Sequence, residues 1–107
     1  EGLAFAERMG LAAGAVLDVL EAGPAASRIM ARKGPKMVAR DYEPEARLAQ
    51  HHKDVRLMLV AAASAGLRLP LTEAHERVLA AAEASGHGGS DNSALIEVYR
   101  SDSVERP

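Results

Sequence analysis

The sequence has no cysteine and no tryptophan, and tyrosine and phenylalanine are scarce. Without cysteine the chain can form no disulfide, no thiolate metal site and no cysteine nucleophile, and this fits a reducing compartment such as the cytoplasm. There is no excess of basic residues, because 13 Lys and Arg stand against 15 Asp and Glu. We therefore expect no binding to the phosphate backbone of nucleic acid.

Long apolar runs are also missing. The longest, LMLVAAA, is shorter than the roughly 20 residues that span a bilayer, so we expect a soluble chain with no membrane contact. Alanine is abundant instead, with 22 residues in 107, and it is the best helix former as well as a small side chain that lets helices pack closely. The only strand candidate, LRLPL, is weakened by Pro70.

These features predict an all-α fold: a compact bundle of about five to seven helices around a central buried helix at residues 47–65. One helical domain is expected over residues 1–100, followed by a polar tail at residues 101–107.

Glycine and proline divide the first part of the chain. LAFAERMG predicts the tail of a helix that ends at Gly10, and because no capping residue precedes it, the chain is expected to be a piece of something longer. A second helix is expected to end at Gly23 and a third at Gly34. Pro35 is then expected to permit another short helix, KMVAR.

The principal helix, residues 47–65, contains no glycine or proline. One of its faces is formed by apolar residues and one histidine: Leu48, His52, Val55, Leu59 and Ala62. After residue 57 almost every direction is apolar, which predicts a helix that is buried at its C-terminal end. The polar group HHKD, residues 51–54, is then expected to lie where the helix reaches the surface.

Two more helices are expected after a break at LRLPLT. The first begins near Thr72 and buries a stripe formed by Val78, Ala81, Ala82 and Ser85. The second, SALIEVYR, is expected to be capped by Ser90 or Asp91 and to bury Leu95, Val98 and Tyr99.

The four histidines do not predict a metal site. His51 and His52 are adjacent on a helix and point about 100° apart, so they cannot chelate one ion together. His75 begins a pattern like the zinc motif H-E-x-x-H, but Leu79 takes the place of the second ligand.

The adjacent charges of Lys53 and Asp54 have two interpretations. They form either a solvated surface ion pair, worth about 0 to 1 kcal/mol, or a pair that faces a ligand. The spacing of the residues leaves both open.

Several segments resemble one family in register from Glu1 to Tyr99. The most specific are the Lys-Asp pair before an apolar helix, the pattern G-x-x-x-P-L-T at residues 66–72 and the pattern G-x-x-x-x-D-x-S-A that ends at Ala94. They are similar to the C-terminal helical domain of the β-hydroxyacid dehydrogenases, which include 3-hydroxyisobutyrate dehydrogenase and tartronate semialdehyde reductase and are related to 6-phosphogluconate dehydrogenase.

The resemblance implies an enzyme whose N-terminal Rossmann domain binds NAD or NADP and which forms a homo-oligomer. The family's catalytic lysine and asparagine lie upstream of Glu1, so no catalytic residue is expected in this chain, and the chain by itself is expected to be inactive. The implied substrate is a short 2- or 3-hydroxyacid or its semialdehyde.

The resemblance also assigns site residues. Lys53 matches a lysine directed toward the cofactor, and Asp54 matches its acidic neighbour at the substrate end. Ala46 stands where relatives commonly place a phenylalanine that lines the substrate pocket, and Glu45 precedes it. This departure enlarges the pocket and adds an anion, which favours a larger or non-acidic substrate.

Two functions follow for this chain. The first is the substrate-side and oligomerisation domain of an NAD(P)-dependent oxidoreductase. The alternative is a non-catalytic helical module whose alanine-rich stripes pack against partner helices.

Overall fold

The computed structural model describes residues 1–101, and these residues are predominantly helical. The six α-helices in this part of the chain are α1 Gly2–Arg8, α2 Ala13–Ala22, α3 Arg28–Ala39, α4 Leu48–Ser64, α5 Pro70–Ala82 and α6 Ile96–Arg100. A five-residue segment, Glu83–His87, follows α5 and is called the π-helical turn below; it is not a regular helix, because Gly86 within it has a φ of 90° and kinks the backbone. A 3-10 helix, Asn92–Leu95, precedes α6. The predicted all-helical fold is confirmed for residues 1–101. Of the predicted polar tail, all but Ser101 lies outside the described residues.

Pairing between extended segments is limited to one isolated antiparallel bridge, between Arg47 and Asp91, in the described residues. None of the helices found in residues 1–101 has both the length and the apolar character needed to cross a membrane. The contacts within the chain group into two units, residues 1–42 and the residues from Glu43 onward.

In the first unit α2 packs against both α1 and α3. The predicted helix end at Gly34 is wrong, because α3 continues through Gly34 and Pro35 to Ala39. Gly34 is buried, and a Cβ atom at this position would lie 2.5 Å from Cδ1 of Leu17 on α2. The glycine therefore allows the two helices to approach closely, and this packing outweighs its local tendency to end a helix.

The ends of α3 lie elsewhere. At its start the Ser27 hydroxyl accepts a hydrogen bond from the amide of Met30 at 3.1 Å, which satisfies one of the free amides of the first turn. At its end Arg40 adopts a left-handed conformation with φ of 53°. A non-glycine residue thus closes this helix.

The second unit is built on the packing of α4 against α5. Its core consists of apolar side chains from α4, α5 and α6: Leu48, Val55, Leu79, Ala82 and Val98. Pro70 occupies the first position of α5, where a missing amide costs nothing, so this helix begins two residues before the predicted start at Thr72.

The predicted stripe on α5 is partly correct. Ala82 is in the core, and Val78 and Ala81 pack against it, but Ser85 is exposed. The regular helical path ends beside Ser85, because Gly86 has a φ of 90° and kinks the backbone. The Ser85 hydroxyl donates to the carbonyl of Ala81 instead of packing in the core. Near the C-terminus Val98 is buried as predicted, Leu95 and Tyr99 are half-buried, and Ile96 is a buried residue that the pattern did not single out.

The prediction for α4 identifies the buried face correctly but assigns burial to the wrong end of the helix. Leu48, His52 and Val55 are buried. The apolar second half of the helix is the exposed part, with Leu57, Met58 and Val60 at 61%, 54% and 66% exposure. The reason is that the 3-10 helix, the π-helical turn and the loop before the 3-10 helix all contact α4, and the hydrogen bonds of this loop fall on its first turn.

Candidate functional site

Backbone carbonyl groups hold the start of α4. The amide of Leu48 donates to the carbonyl of Ser90 at 2.9 Å, and the amide of Ala49 donates to the carbonyl of Gly88 at 3.0 Å. Amides in the first turn of a helix have no partner within the helix. The loop at residues 88–90 supplies these partners and fixes the first turn of α4.

Asp91 is completely buried and organises this loop. Its Oδ1 atom accepts hydrogen bonds from the amides of Glu45 and Ala46 at 2.9 and 3.1 Å. Its Oδ2 atom accepts from the amide and the hydroxyl of Ser93 at 3.1 and 2.5 Å. Of the two predicted caps, Asp91 is therefore the one that caps the 3-10 helix, and it also binds the segment before α4.

Ala46 is held through both of its backbone groups. Its amide donates to Asp91, and its carbonyl accepts from the amide of Asn92 at 2.8 Å. The residue is exposed. Ala46 is thus a fixed point on the surface at the start of α4.

Lys53 and Asp54 lie together on the exposed side of α4. The Lys53 Nζ atom is 3.8 Å from Asp54 Oδ1, and the two side chains are 57% and 63% exposed. An ion pair this open adds little stability, because solvent screens it and two flexible side chains must be ordered. Stability alone therefore gives no reason for this pair.

His52, the residue before this pair, is buried between two carboxylates. The His52 Nε2 atom is 2.8 Å from Glu76 Oε1 on α5, and its Nδ1 atom is 2.5 Å from Glu83 Oε2 in the π-helical turn. When both carboxylates are ionised they only accept hydrogen bonds, so both ring nitrogens must donate, and this arrangement favours the imidazolium form of His52. Burial by itself lowers the pKa of His52, but the hydrogen bonds with Glu76 and Glu83 outweigh burial and raise the pKa above its ordinary value.

His51 contacts a different residue of α5. Its Nε2 atom is 2.9 Å from Nε2 of His75. Burial, followed by the nearby imidazoles of His51 and His52, lowers the pKa of His75 below its ordinary value. Within residues 1–101 no group of three or more metal-ligating side chains is arranged to hold an ion.

Sequence reasoning missed the partners of both histidines because it treated each helix alone. His51 meets His75 and His52 meets Glu76, and each pair is 24 residues apart in the sequence. Folding the chain back on itself at the break near Gly66 would have paired these positions, since antiparallel helices joined by a short loop are neighbours. Glu83 lies seven residues after Glu76 on the same helix face, so the same pairing would also have placed it near His52.

The likeness to solved structures gives the class of protein. The chain superimposes with a TM-score of 0.87 on 3-hydroxyisobutyrate dehydrogenase from Salmonella typhimurium, with 26% identity over 91% of this chain and 34% of that chain. The helical fold is therefore one found in the dehydrogenase class. A family model described as NAD-binding of NADP-dependent 3-hydroxyisobutyrate dehydrogenase matches residues 1–99, and the chain belongs to this family. The predicted cofactor class, NAD or NADP, is confirmed at the level of the family.

Curated relatives extend this result. The chain is 32% identical to glyoxylate/succinic semialdehyde reductase 1 of Arabidopsis thaliana, over 94% of this chain and 35% of that protein. It is 34% identical to 2-hydroxy-3-oxopropionate reductase of Escherichia coli, over 91% and 33%. It is also 36% identical to the cytokine-like nuclear factor N-PAC of Aedes aegypti, over 89% and 17%. The chain thus spans about a third of the two reductases and a smaller share of the nuclear factor.

Proposed function

We propose that the chain is the C-terminal helical domain of an NAD(P)-dependent β-hydroxyacid dehydrogenase and forms the substrate side of its cleft. The observation that carries the proposal is the exposed pair of Lys53 and Asp54, presented by a firmly held helix start in a chain of an NAD-binding family. The described residues contain no strand, so the parallel sheet of a Rossmann domain belongs to another part of such an enzyme.

The side chains at this position suit a nicotinamide cofactor and a polar substrate. The Lys53 ammonium is exposed and flexible, so it can meet a phosphate, ribose or carboxylate oxygen. Asp54 can orient that ammonium or accept a hydrogen bond from a substrate hydroxyl. When bound, the nicotinamide supplies the hydride chemistry, and the part of this chain is to position the reactants.

The proposed substrate is a short 2- or 3-hydroxyacid or its semialdehyde. Two relatives, a glyoxylate/succinic semialdehyde reductase and a 2-hydroxy-3-oxopropionate reductase, support this class by their names. Ala46 is exposed and its backbone is fixed, so a methyl group stands where relatives place an aromatic ring. This favours a substrate larger than those of relatives that keep the ring.

The activity is tested by initial rates of the full-length enzyme with NAD and with NADP across small hydroxyacids and semialdehydes. Reduction or oxidation of any of these compounds supports the proposal. Cofactor binding without turnover on any of them would keep the family and refute the proposed substrate class.

The site is tested by Lys53→Ala in the full-length enzyme. We expect the KM for cofactor or substrate to rise by about tenfold or more, which corresponds to about 1.4 kcal/mol of lost binding, while Tm changes little. Arg77→Ala is the matched control, because Arg77 is an exposed cation on α5 away from the Lys53 pair. Equal KM values for the two variants would refute the role of Lys53.

A second candidate is a non-catalytic helical interaction or dimerisation module. The exposed apolar side chains of Leu57, Met58 and Val60 favour it, and so does the name of the relative N-PAC, which describes a nuclear factor. Its test is sedimentation of the chain over a range of concentrations, with Leu57→Ser as the disrupting variant. A strictly monomeric wild-type chain would count against dimerisation. The homo-oligomer and the cytoplasmic location stay predictions.

A further inference from the structure

The contact between α4 and α5 contains three of the four histidines of the chain. The hydrogen bonds of one of them require a protonated ring, whereas those of the other two require an unprotonated ring nitrogen. Both ring nitrogens of His52 face carboxylate oxygens, so the contact needs the charged ring. If the proton leaves, a ring lone pair faces a carboxylate lone pair in a buried place. Deprotonation of His52 therefore weakens the junction between α4, α5 and the π-helical turn.

The pair formed by His51 and His75 has the reverse requirement. Its two Nε2 atoms are 2.9 Å apart, so one must donate and the other must accept. The accepting nitrogen carries no proton. A single added proton is tolerated, because the N–H of one charged ring can donate to the unprotonated nitrogen of the other, but when both rings are protonated two N–H groups and two positive rings face each other.

We infer that the α4–α5 junction is a two-sided proton-sensitive contact: it loosens in alkaline solution through His52 and in acid through the pair of His51 and His75. No catalytic role is required for this behaviour, since it follows from hydrogen-bond donors and acceptors fixed by the packing of two helices. It is therefore independent of the proposed dehydrogenase function.

Other charges near the junction do not reverse this assignment. Arg56, on α4, opposes the positive charge of His52, but two carboxylates contact the ring directly. The 3-10 helix that packs against α4, with the sequence NSAL, contributes no ionisable side chain. The carboxylate of Asp91, which precedes it, is occupied by the amides of Glu45 and Ala46 and by Ser93. For His75 the charges that act are the imidazoles of His51 and His52.

The directions of the pKa shifts of His52 and His75 agree with the geometry and show on which side of pH 6.5 each contact weakens. The pKa of His52 is raised from 6.5, so its contribution to stability is complete below this value and is lost as pH rises through the higher folded pKa. The pKa of His75 is lowered from 6.5, so its contribution is complete above this value and is lost as pH falls toward the lower folded pKa. The two contributions overlap near pH 6.5 and decline on opposite sides.

The experiment is thermal unfolding of the full chain from about pH 5 to about pH 9 in buffers containing a metal chelator. For the wild type we expect the highest Tm near the overlap and a fall of about 4 °C or more toward alkaline pH, the shift expected when a small domain loses one such contact. In His52→Gln the alkaline fall should disappear, because glutamine keeps a polar side chain that does not titrate. In His75→Gln the acid fall should become shallower while the alkaline fall remains.

His87→Gln is the matched control, because it removes a histidine that takes no part in the two contacts between α4 and α5 described above. The alkaline fall should remain in this variant, because His52, Glu76 and Glu83 are unchanged. A His52→Gln curve that runs parallel to the wild type at every pH would overturn the inference.

A second measurement avoids variants that fold poorly. Proton NMR titration of the imidazole resonances in the wild type should show one histidine with a midpoint above 6.5 and one with a midpoint below it. Midpoints of His52 and His75 that both lie at the ordinary value would also overturn the inference.

Discussion

The two halves of α4 show the reverse of the usual relation between composition and burial: the more polar half is more buried, and the more apolar half is more exposed. The first half carries two histidines, a lysine and an aspartate, yet it includes the helix's fully enclosed residue, Leu48, together with buried His52 and Val55. The second half is almost entirely apolar, yet Leu57 and Val60 are exposed. Burial in this helix is thus decided by which neighbours are present, and polar groups are buried where partners satisfy them.

The exposed apolar side chains in the second half of α4 could stabilise a complex if a partner covered them. Complete burial of a leucine, valine or methionine side chain contributes about 1.5 to 3 kcal/mol relative to exposure. An apolar groove of about 400 Å³ lies beside it, between the end of α4 and the start of α5, with the ion pair of Arg68 and Glu73 at 2.7 Å among its lining residues. Such a surface favours association with another apolar surface.

The largest expected effect comes from truncating one leucine in each half of α4. Leu48→Ala removes a fully buried side chain from the core, and we expect the free energy of unfolding to fall by about 2 to 5 kcal/mol. Leu57→Ala removes an exposed side chain, so the change should lie within about 0.5 kcal/mol. Urea unfolding of the chain measures both values. Equal losses would mean that α4 is covered along its whole length in solution, and the contrast between its halves would fail.

The sequence predicted the parts of this fold that depend on local pattern. Helical periodicity placed Leu48, His52 and Val55 on one buried face, and the polar residues before the last helix predicted the cap that Asp91 supplies. Periodicity shows which residues share a face, but it does not show which part of that face meets a neighbour. For this reason the burial of the second half of α4 was predicted incorrectly.

The candidate site was predictable to a similar extent. The exposed positions of Lys53 and Asp54 agree with their place in HHKD, but the contacts that hold the helix beneath them involve Glu76, Glu83 and Asp91, all more than 20 residues away. These partners depend on the turn that brings α5 against α4 and on a loop that runs back beside Ala46. None of these features has a clear local signature in composition or spacing.

A smaller loss of stability than for Leu48→Ala is expected from a conservative change at the buried Asp91. Asp91→Asn keeps the shape of the side chain but replaces one carboxylate oxygen with an NH₂ group, so donors from Glu45 and Ala46 or from Ser93 lose an acceptor. We expect the free energy of unfolding to fall by about 1 to 3 kcal/mol. Asp54→Asn makes the same change on the exposed face and should alter stability by no more than about 0.5 kcal/mol. Chemical denaturation of both variants decides the point, and equal effects would show that the loop at Asp91 does not hold the start of α4.

The first unit offers the smallest and most direct test of the same lesson, that packing outweighs local preference. Gly34→Ala favours the helix locally by up to about 1 kcal/mol but places a Cβ atom 2.5 Å from Cδ1 of the buried Leu17, and overpacking of this kind costs about 1 to 3 kcal/mol. We expect a net loss of stability.

Gly14→Ala, within α2, is the matched control, because the nearest atom to its added methyl group is Cγ1 of Val38 at 3.8 Å, an ordinary contact. This variant should gain stability through helix preference alone. If both substitutions raised Tm, Gly34 would be dispensable for the close approach of α2 and α3, and the continuity of α3 through Gly34 would need another cause.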